Sequence, residues 1–148
     1  MQNKNNEIKF TIPLNPITKK NSKIIKSVGK PLIFKNKQYW LFKQLRLING
    51  KKYTNYEKVA LQLIKFLYKG GPISEKVNVK AMYYRKTKHT VDLNNLHSAL
   101  HDTLVKGGVL KDDDYKIIES TDGSRVRFDK ENPRTEVTIT RVEEIEWN

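Results

Sequence analysis

The sequence predicts an α+β domain: a small mixed β-sheet packed with two main helices. Three observations lead there. Residues 7–14, 77–84 and 135–142 alternate apolar and polar side chains with the period of two that a half-buried strand requires. Residues 54–69 and 90–106 repeat apolar side chains every three or four positions, the period of an amphipathic helix. The 148-residue chain shows no internal repeat and no linker, and its 37% hydrophobic content suffices for one core, so residues 1–148 read as a single domain.

The first strand puts Ile8, Phe10, Ile12 and Leu14 on one side, and Pro13 and Pro16 end it. The loop from Pro16 to Ser22 carries Lys19, Lys20, Asn21 and Ser22. Lysines supply charge to phosphates, and Asn and Ser hydrogen-bond phosphate or sugar oxygens; an exposed turn has the same composition. Ile24-Ile25 and Pro31–Phe34 read as short strands around a Gly29-Lys30 turn. Tyr39–Phe42 fits a strand or a helix, with aromatics suited to the core. Thr54 or Asn55 caps a helix that runs to about Lys69, with Val59, Ala60, Leu63, Phe66 and Leu67 as its stripe, and Gly70-Gly71-Pro72 stops it. The strand Val77–Tyr84 sends Val77, Val79, Ala81 and Tyr83 one way and Asn78, Lys80, Met82 and Tyr84 the other. The second helix begins near Thr90–Asp92, buries Leu93, Leu96, Leu100 and Leu104, and ends at Gly107-Gly108. Ile117-Ile118 and Arg125–Phe128 begin further strands, with turns at 121–124 and 129–134, hairpin-like joins and a final strand Thr135–Val142.

Charge is distributed unevenly. The net charge is +13, and residues 1–52 hold thirteen lysines and arginines against one acid, Glu7, while the remainder is nearly balanced. Such a surface attracts polyanions, a phosphate backbone foremost. Against this background stands a small acidic island. Asp92 heads the second helix, where a carboxylate complements the helix N-terminus. Asp112, Asp113 and Asp114 follow the double glycine, a run that costs little if solvated. Between strand and helix, Arg85-Lys-Thr-Lys-His89 forms a basic bridge leading into Asp92, with Arg85 and Lys88 placed to hold DNA. Acids in a basic protein suit a divalent ion working on a phosphate chain, since magnesium takes hard oxygen ligands from one or two carboxylates plus substrate phosphate. Asp102 lies ten residues beyond Asp92, roughly 15 Å along the axis, too far to share an ion with it in one straight helix. His97 and His101, placed on the helix's more exposed side, are candidate acid/base groups without an evident partner.

There are no cysteines, which excludes a disulfide scaffold and a thiolate metal site. No signal peptide is visible, and no run approaches the ~18–20 apolar residues of a membrane helix. The expectation is a soluble, cytoplasmic protein without membrane contact.

The motifs together resemble the RusA-like Holliday junction resolvases of bacteria and their phages. The stretches that carry the resemblance are Asp92-Leu-Asn-Asn-Leu96, Asp102-Thr-Leu104, Val109-Leu-Lys-Asp-Asp113 and the front loop Pro16-Ile-Thr-Lys-Lys-Asn-Ser22. The tail from Asp122 to Glu136 is similar to a branch found in Gram-positive bacteria and their phages. The resemblance implies a homodimeric, Mg2+-dependent endonuclease, with Mn2+ able to substitute, that resolves four-way DNA junctions by paired symmetric nicks in recombination and repair. It implies Asp92 and Asp113 as metal-binding catalytic acids, with Asp112 beside them, and Lys19, Lys20, Asn21, Arg85 and Lys88 against DNA. Asn95 and Asp102 would support the site. The chain departs from the pattern twice: the family's second Asp falls on Asn94 and its helix lysine on Ser98. An amide oxygen still ligates magnesium but brings no charge, which leaves open a weak enzyme, an altered site that takes Asp102 from a partner chain, or an engineered inactive form. Two rival readings follow: a non-catalytic junction- or duplex-binding protein, and a basic structural or RNA-binding protein with no metal site.

Overall fold

The computed structural model describes the backbone of residues 7–19, 23–28, 31–34, 37–40 and 44–143, and the side chains of 7–19 and 50–143. Its organising element is β6 (Val77–Arg85), whose alternation is realised in full: Val77, Val79, Ala81 and Tyr83 are buried and the residues between them are not. On one side β6 pairs antiparallel with β9 (Arg134–Arg141), which in turn pairs antiparallel with β1 (Glu7–Ile12). The registers align Phe10, Val137 and Ala81 in one row and Ile8, Ile139 and Val79 in the next. On its other side β6 pairs in parallel with β7 (Ile118–Ser120) and then with β8 (Arg125–Phe128). The result is a mixed five-stranded sheet with one apolar face, the predicted α+β class.

The late strands do not join as hairpins. β7 and β8 lie on one side of β6 and β9 on the other, so the turn between β8 and β9 passes over the end of β6. Side chains fill the gap between β7 and β8. Ser124 Oγ accepts the Ala81 N–H at 3.0 Å, and Asn78 Oδ1 accepts from the Asp122 N–H and the Ser120 hydroxyl, both at 2.7 Å. A buried backbone donor is costly to leave without a partner, and the serine supplies one.

Helix α1 (Lys51–Leu67) and helix α2 (Leu93–Lys106) cover the apolar face. Two helix expectations need correction. α1 starts at Lys51 after Gly50, which makes no side-chain cap, and the Thr54 hydroxyl instead donates to the Gly50 carbonyl from inside the first turn. The early start changes the phase: Tyr53, Ala60 and Ile64 are buried, while Val59, Phe66 and Leu67 are exposed. In α2, Leu96, Leu100 and Leu104 are buried as expected, but Leu93 is 36% exposed, so the stripe begins one turn later.

Between β1 and α1 the chain forms two nested antiparallel ladders. β2 (Lys23–Val28) pairs with β5 (Gln44–Asn49), and inside them β3 (Pro31–Phe34) pairs with β4 (Lys37–Trp40). Two strands therefore do form at Ile24-Ile25 and Pro31–Phe34, but each pairs with a later one rather than with the other. Closing the inner hairpin brings the outer strands together. The Gly29-Lys30 turn and Leu41-Phe42 lie outside the described residues.

The two histidines correct the exposed-face expectation. His97 is buried, its Nδ1 hydrogen-bonded to the Tyr83 hydroxyl at 2.8 Å, and its ring stacks on His101 at 5.4 Å. They belong to the face that returns along β6. Burial and the neighbouring His97 push the His101 pKa down to about 4, and its Nε2 is buried without a hydrogen bond.

Two expectations follow. Ile64→Ala should destabilise the fold by about 2–5 kcal/mol, as deleting fully buried methyl groups does, read as a lowered denaturation midpoint. For His101, the folded pKa lies below the unfolded one, so between pH 6.5 and about 4 the unfolded chain binds more protons. Stability should fall as pH drops through that window, and His101→Leu should flatten the slope of the melting temperature against pH there.

Candidate functional site

Asp92 is held by the structure on both sides. It is the N-cap of α2, its Oδ1 accepting the Asn94 N–H at 2.8 Å. The basic loop that precedes it is pinned at three points. Asn15 Oδ1 accepts the Lys86 N–H at 2.8 Å, Arg85 Nη1 donates to the His89 carbonyl, and the Arg85 carbonyl accepts the Asp129 N–H at 2.9 Å. Asp92 and Asn94 are exposed and Asn95 is half-buried, so the first turn of α2 offers oxygen donors to solvent.

The acid triplet is positioned by the other end of the same helix. Gly108, at φ +76°, adopts a backbone that side chains with a Cβ disfavour. It turns the chain so that Val109 and Leu110 donate to the Leu104 carbonyl and enter the core. Leu110 then bridges to Ile73, and the Asp114 carbonyl accepts from Ile117 and Ile118, whose strand pairs with Val77 at the start of β6. Asp112, Asp113 and Asp114 are all exposed. Asp112 Oδ1 accepts the Asp113 N–H at 2.7 Å, and Asp114 Oδ1 accepts the Lys116 N–H at 2.9 Å.

These placements separate the two acidic spots within one chain. Asp92 follows the end of β6, and the triplet lies at its beginning. Leu104, beside the triplet's loop, is twelve residues from Asp92, about 18 Å along the helix. Among the described residues, no group of three histidines or acids converges on a common point. The donor chemistry nonetheless fits Mg2+ or Mn2+: carboxylate and amide oxygens are the hard ligands these ions take. One chain thus presents exposed oxygen donors at both ends of α2, Asp92 and Asn94 at its head and Asp112 to Asp114 after its tail.

The cations divide into two groups. Lys19 forms an ion pair with Asp102 Oδ2, which also meets Lys106 Nζ at 3.2 Å, and Lys106 reaches Glu57 at 3.1 Å. Partial burial raises the Asp102 pKa, but hydrogen bonds and charge from Lys19 and Lys106 outweigh it and leave the carboxyl below its usual range. Asp102 therefore fastens the front loop to α2. Lys20 and Asn21 lie outside the described residues. Arg85 and Lys88 stand on the loop before Asp92, where Lys88 Nζ lies 4.9 Å from the centre of the Phe128 ring. Sequence reasoning missed Phe128. The available signal was the alternation of Arg125 and Arg127 with Val126 and Phe128, which gave no reason to bury either set.

Two further comparisons bear on identity. No curated protein matches the sequence. A family profile described as endodeoxyribonuclease RusA matches residues 13–140, a span that holds Asp92, Asp112, Asp113 and the basic loop together with most of the sheet and both helices. The chain therefore belongs to the RusA family of endodeoxyribonucleases, hydrolases that act on branched DNA with divalent metal ions.

Proposed function

We propose that this protein is an Mg2+-dependent resolvase of four-way DNA junctions, acting as a two-fold homodimer in the cytoplasm of a bacterial host. In this reading each metal site is shared: Asp92 of one protomer faces Asp112 and Asp113 of the partner subunit. The observation that carries it is the placement of the acids at opposite ends of α2. A two-fold axis across that helix reverses it, so the head of one copy meets the tail of the other, and two identical sites result. Exposed apolar side chains flank both spots, Leu93 beside Asp92 and Tyr115 after the triplet, at 36% and 75% exposure. An interface that joined the spots would cover both.

The chain's own groups have distinct tasks. The Asn94 N–H fixes the Asp92 carboxylate, leaving its second oxygen for a cation. Asn94 adds an uncharged amide oxygen and Asn95 a nearby polar group. Arg85 and Lys88 draw the phosphate backbone toward Asp92. A divalent ion held there would stabilise charge developing on the phosphate and activate water. The nested hairpins extend the DNA surface. No acid occurs between Glu7 and Glu57, and Lys26 stands directly opposite Arg46 in the β2–β5 ladder. Symmetric sites on a two-fold junction yield paired nicks.

A second reading has its own support, the replacement of an acid by Asn94: a protein that binds junctions but cuts poorly. Cleavage of a synthetic four-way junction with and without Mg2+ separates the two. A resolvase requires the ion and loses at least about 100-fold in rate in Asp92→Asn or Asp113→Asn. A binder stays inert until Asn94→Asp restores the charge.

The shared site makes a stronger prediction. Each of Asp92→Asn and Asp113→Asn should be inactive alone. Mixed in equal amounts and allowed to exchange subunits, they should recover about a quarter of native activity, because half the dimers then hold one unaltered site. A site built within one chain recovers nothing. Binding should also weaken steeply between 50 and 200 mM salt, by about 10³-fold or more if six or more phosphates are neutralised.

A further inference from the structure

Beside the head of α2 lies a cavity of about 300 Å3, between the basic loop and the strand β8. Three cations line it, Arg85, Lys88 and Arg127, together with the apolar side chains of Val91, Val126 and Phe128, and no acid does. β8 is unusual within the sheet because all four of its residues are exposed. Val126 and Phe128, two apart, share one of its faces, and they are 39% and 47% exposed. An apolar strand face left open, ringed by positive charge, matches a ligand that is flat and apolar in one part and anionic in another.

We infer that this cavity takes a single unstacked nucleotide of the DNA substrate, its base against Phe128 and its phosphate against Lys88 and Arg85. The inference rests on the junction-resolvase reading and adds the feature by which a branch is told from a duplex. Several observations converge. The ring and the Lys88 ammonium are already adjacent, 4.9 Å apart, as the two parts of one nucleotide require. Arg85 lines the cavity with its charge, and the bond from its Nη1 to the His89 carbonyl holds the guanidinium in place there. The volume suits one nucleotide and not a stacked pair of strands. The loop that lines the cavity runs through Thr90 and Val91 straight into Asp92. A strand anchored here would pass beside the metal-binding acid.

The physical basis is the accessibility of base faces. Within a continuous duplex each base is covered above and below, so no protein ring can stack on it. At the exchange point of a four-way junction the stacking is interrupted, and a base can leave at a lower cost. Stacking on an aromatic side chain is sequence-tolerant because every base has a π-face. The cavity would therefore select structure over sequence.

The test measures dissociation constants of the full-length protein without divalent metal. It uses an intact four-way junction, the same junction with abasic nucleotides flanking the exchange point, and a duplex. Phe128→Ala should weaken binding to the intact junction by about 5- to 100-fold, the range for losing one stacked base. Abasic nucleotides should weaken the native protein by a similar factor, and the two changes together should cost no more than either alone. Phe128→Tyr should bind like the native protein. Phe128→Leu should bind like Phe128→Ala while melting with the native protein, which assigns the loss to the ring rather than to folding. Independent, multiplying losses overturn the inference, as does Phe128→Ala binding within twofold of native. Native protein that binds the junction no better than duplex overturns the resolvase reading itself, and the inference with it.

Discussion

The return of α2 along β6 is the constraint on which everything else depends. The strand carries the chain from one end of the sheet to the other, the basic loop turns it, and the helix brings it back. Asp92 caps the outbound turn and the acid triplet follows the inbound one. The same core contacts that hold the helix down, Leu96, Leu100 and Leu104 against the sheet, therefore keep the two acidic spots apart. The proposed two-fold dimer answers that separation by bringing the head of one α2 to the tail of the other.

The electrostatic plan serves the same end. The acids of the candidate site stand at the ends of one helix, while the excess positive charge belongs to the first 52 residues and to the basic bridge. One lysine is withdrawn from that field. Lys19 is bound to Asp102 and so fastens the loop after β1 to α2. Carboxylates facing a phosphodiester repel it unless a cation intervenes, which makes the surrounding lysines and arginines a condition for approach as well as a source of affinity.

Much of the fold could be read from the chain because it rests on strict periods. The alternation of Val77–Tyr84 and Thr135–Val142 identified the two central strands, and the glycine pair after Lys106 marked the end of α2. What escaped depended on partners distant in sequence. Thr54 looked like a cap, but packing of Tyr53 on the core recruits the preceding turn into α1. Ile24-Ile25 and Pro31–Phe34 were recognisable as strands, but their pairing is set by the nested closure and not by the nearest turn. The late strands looked like hairpins because their joins are short, whereas β7 and β8 pair in parallel with one side of β6 and β9 pairs antiparallel with the other. At the site, residue types were legible and distances were not. Asp92, Asp112 and Asp113 stand out by charge alone, but their separation follows from the direction of α2 relative to β6, which no local pattern records.

In the proposed dimer a cation joins Asp92 of one protomer to the partner's Asp113. The most direct measurement is anomalous scattering from Mn2+ in crystals of the full-length dimer. One peak per protomer is expected, within bonding distance of an Asp92 carboxylate oxygen and of Asp113 of the partner subunit. Manganese coordinated by acids of a single chain, with no partner contribution, would contradict it.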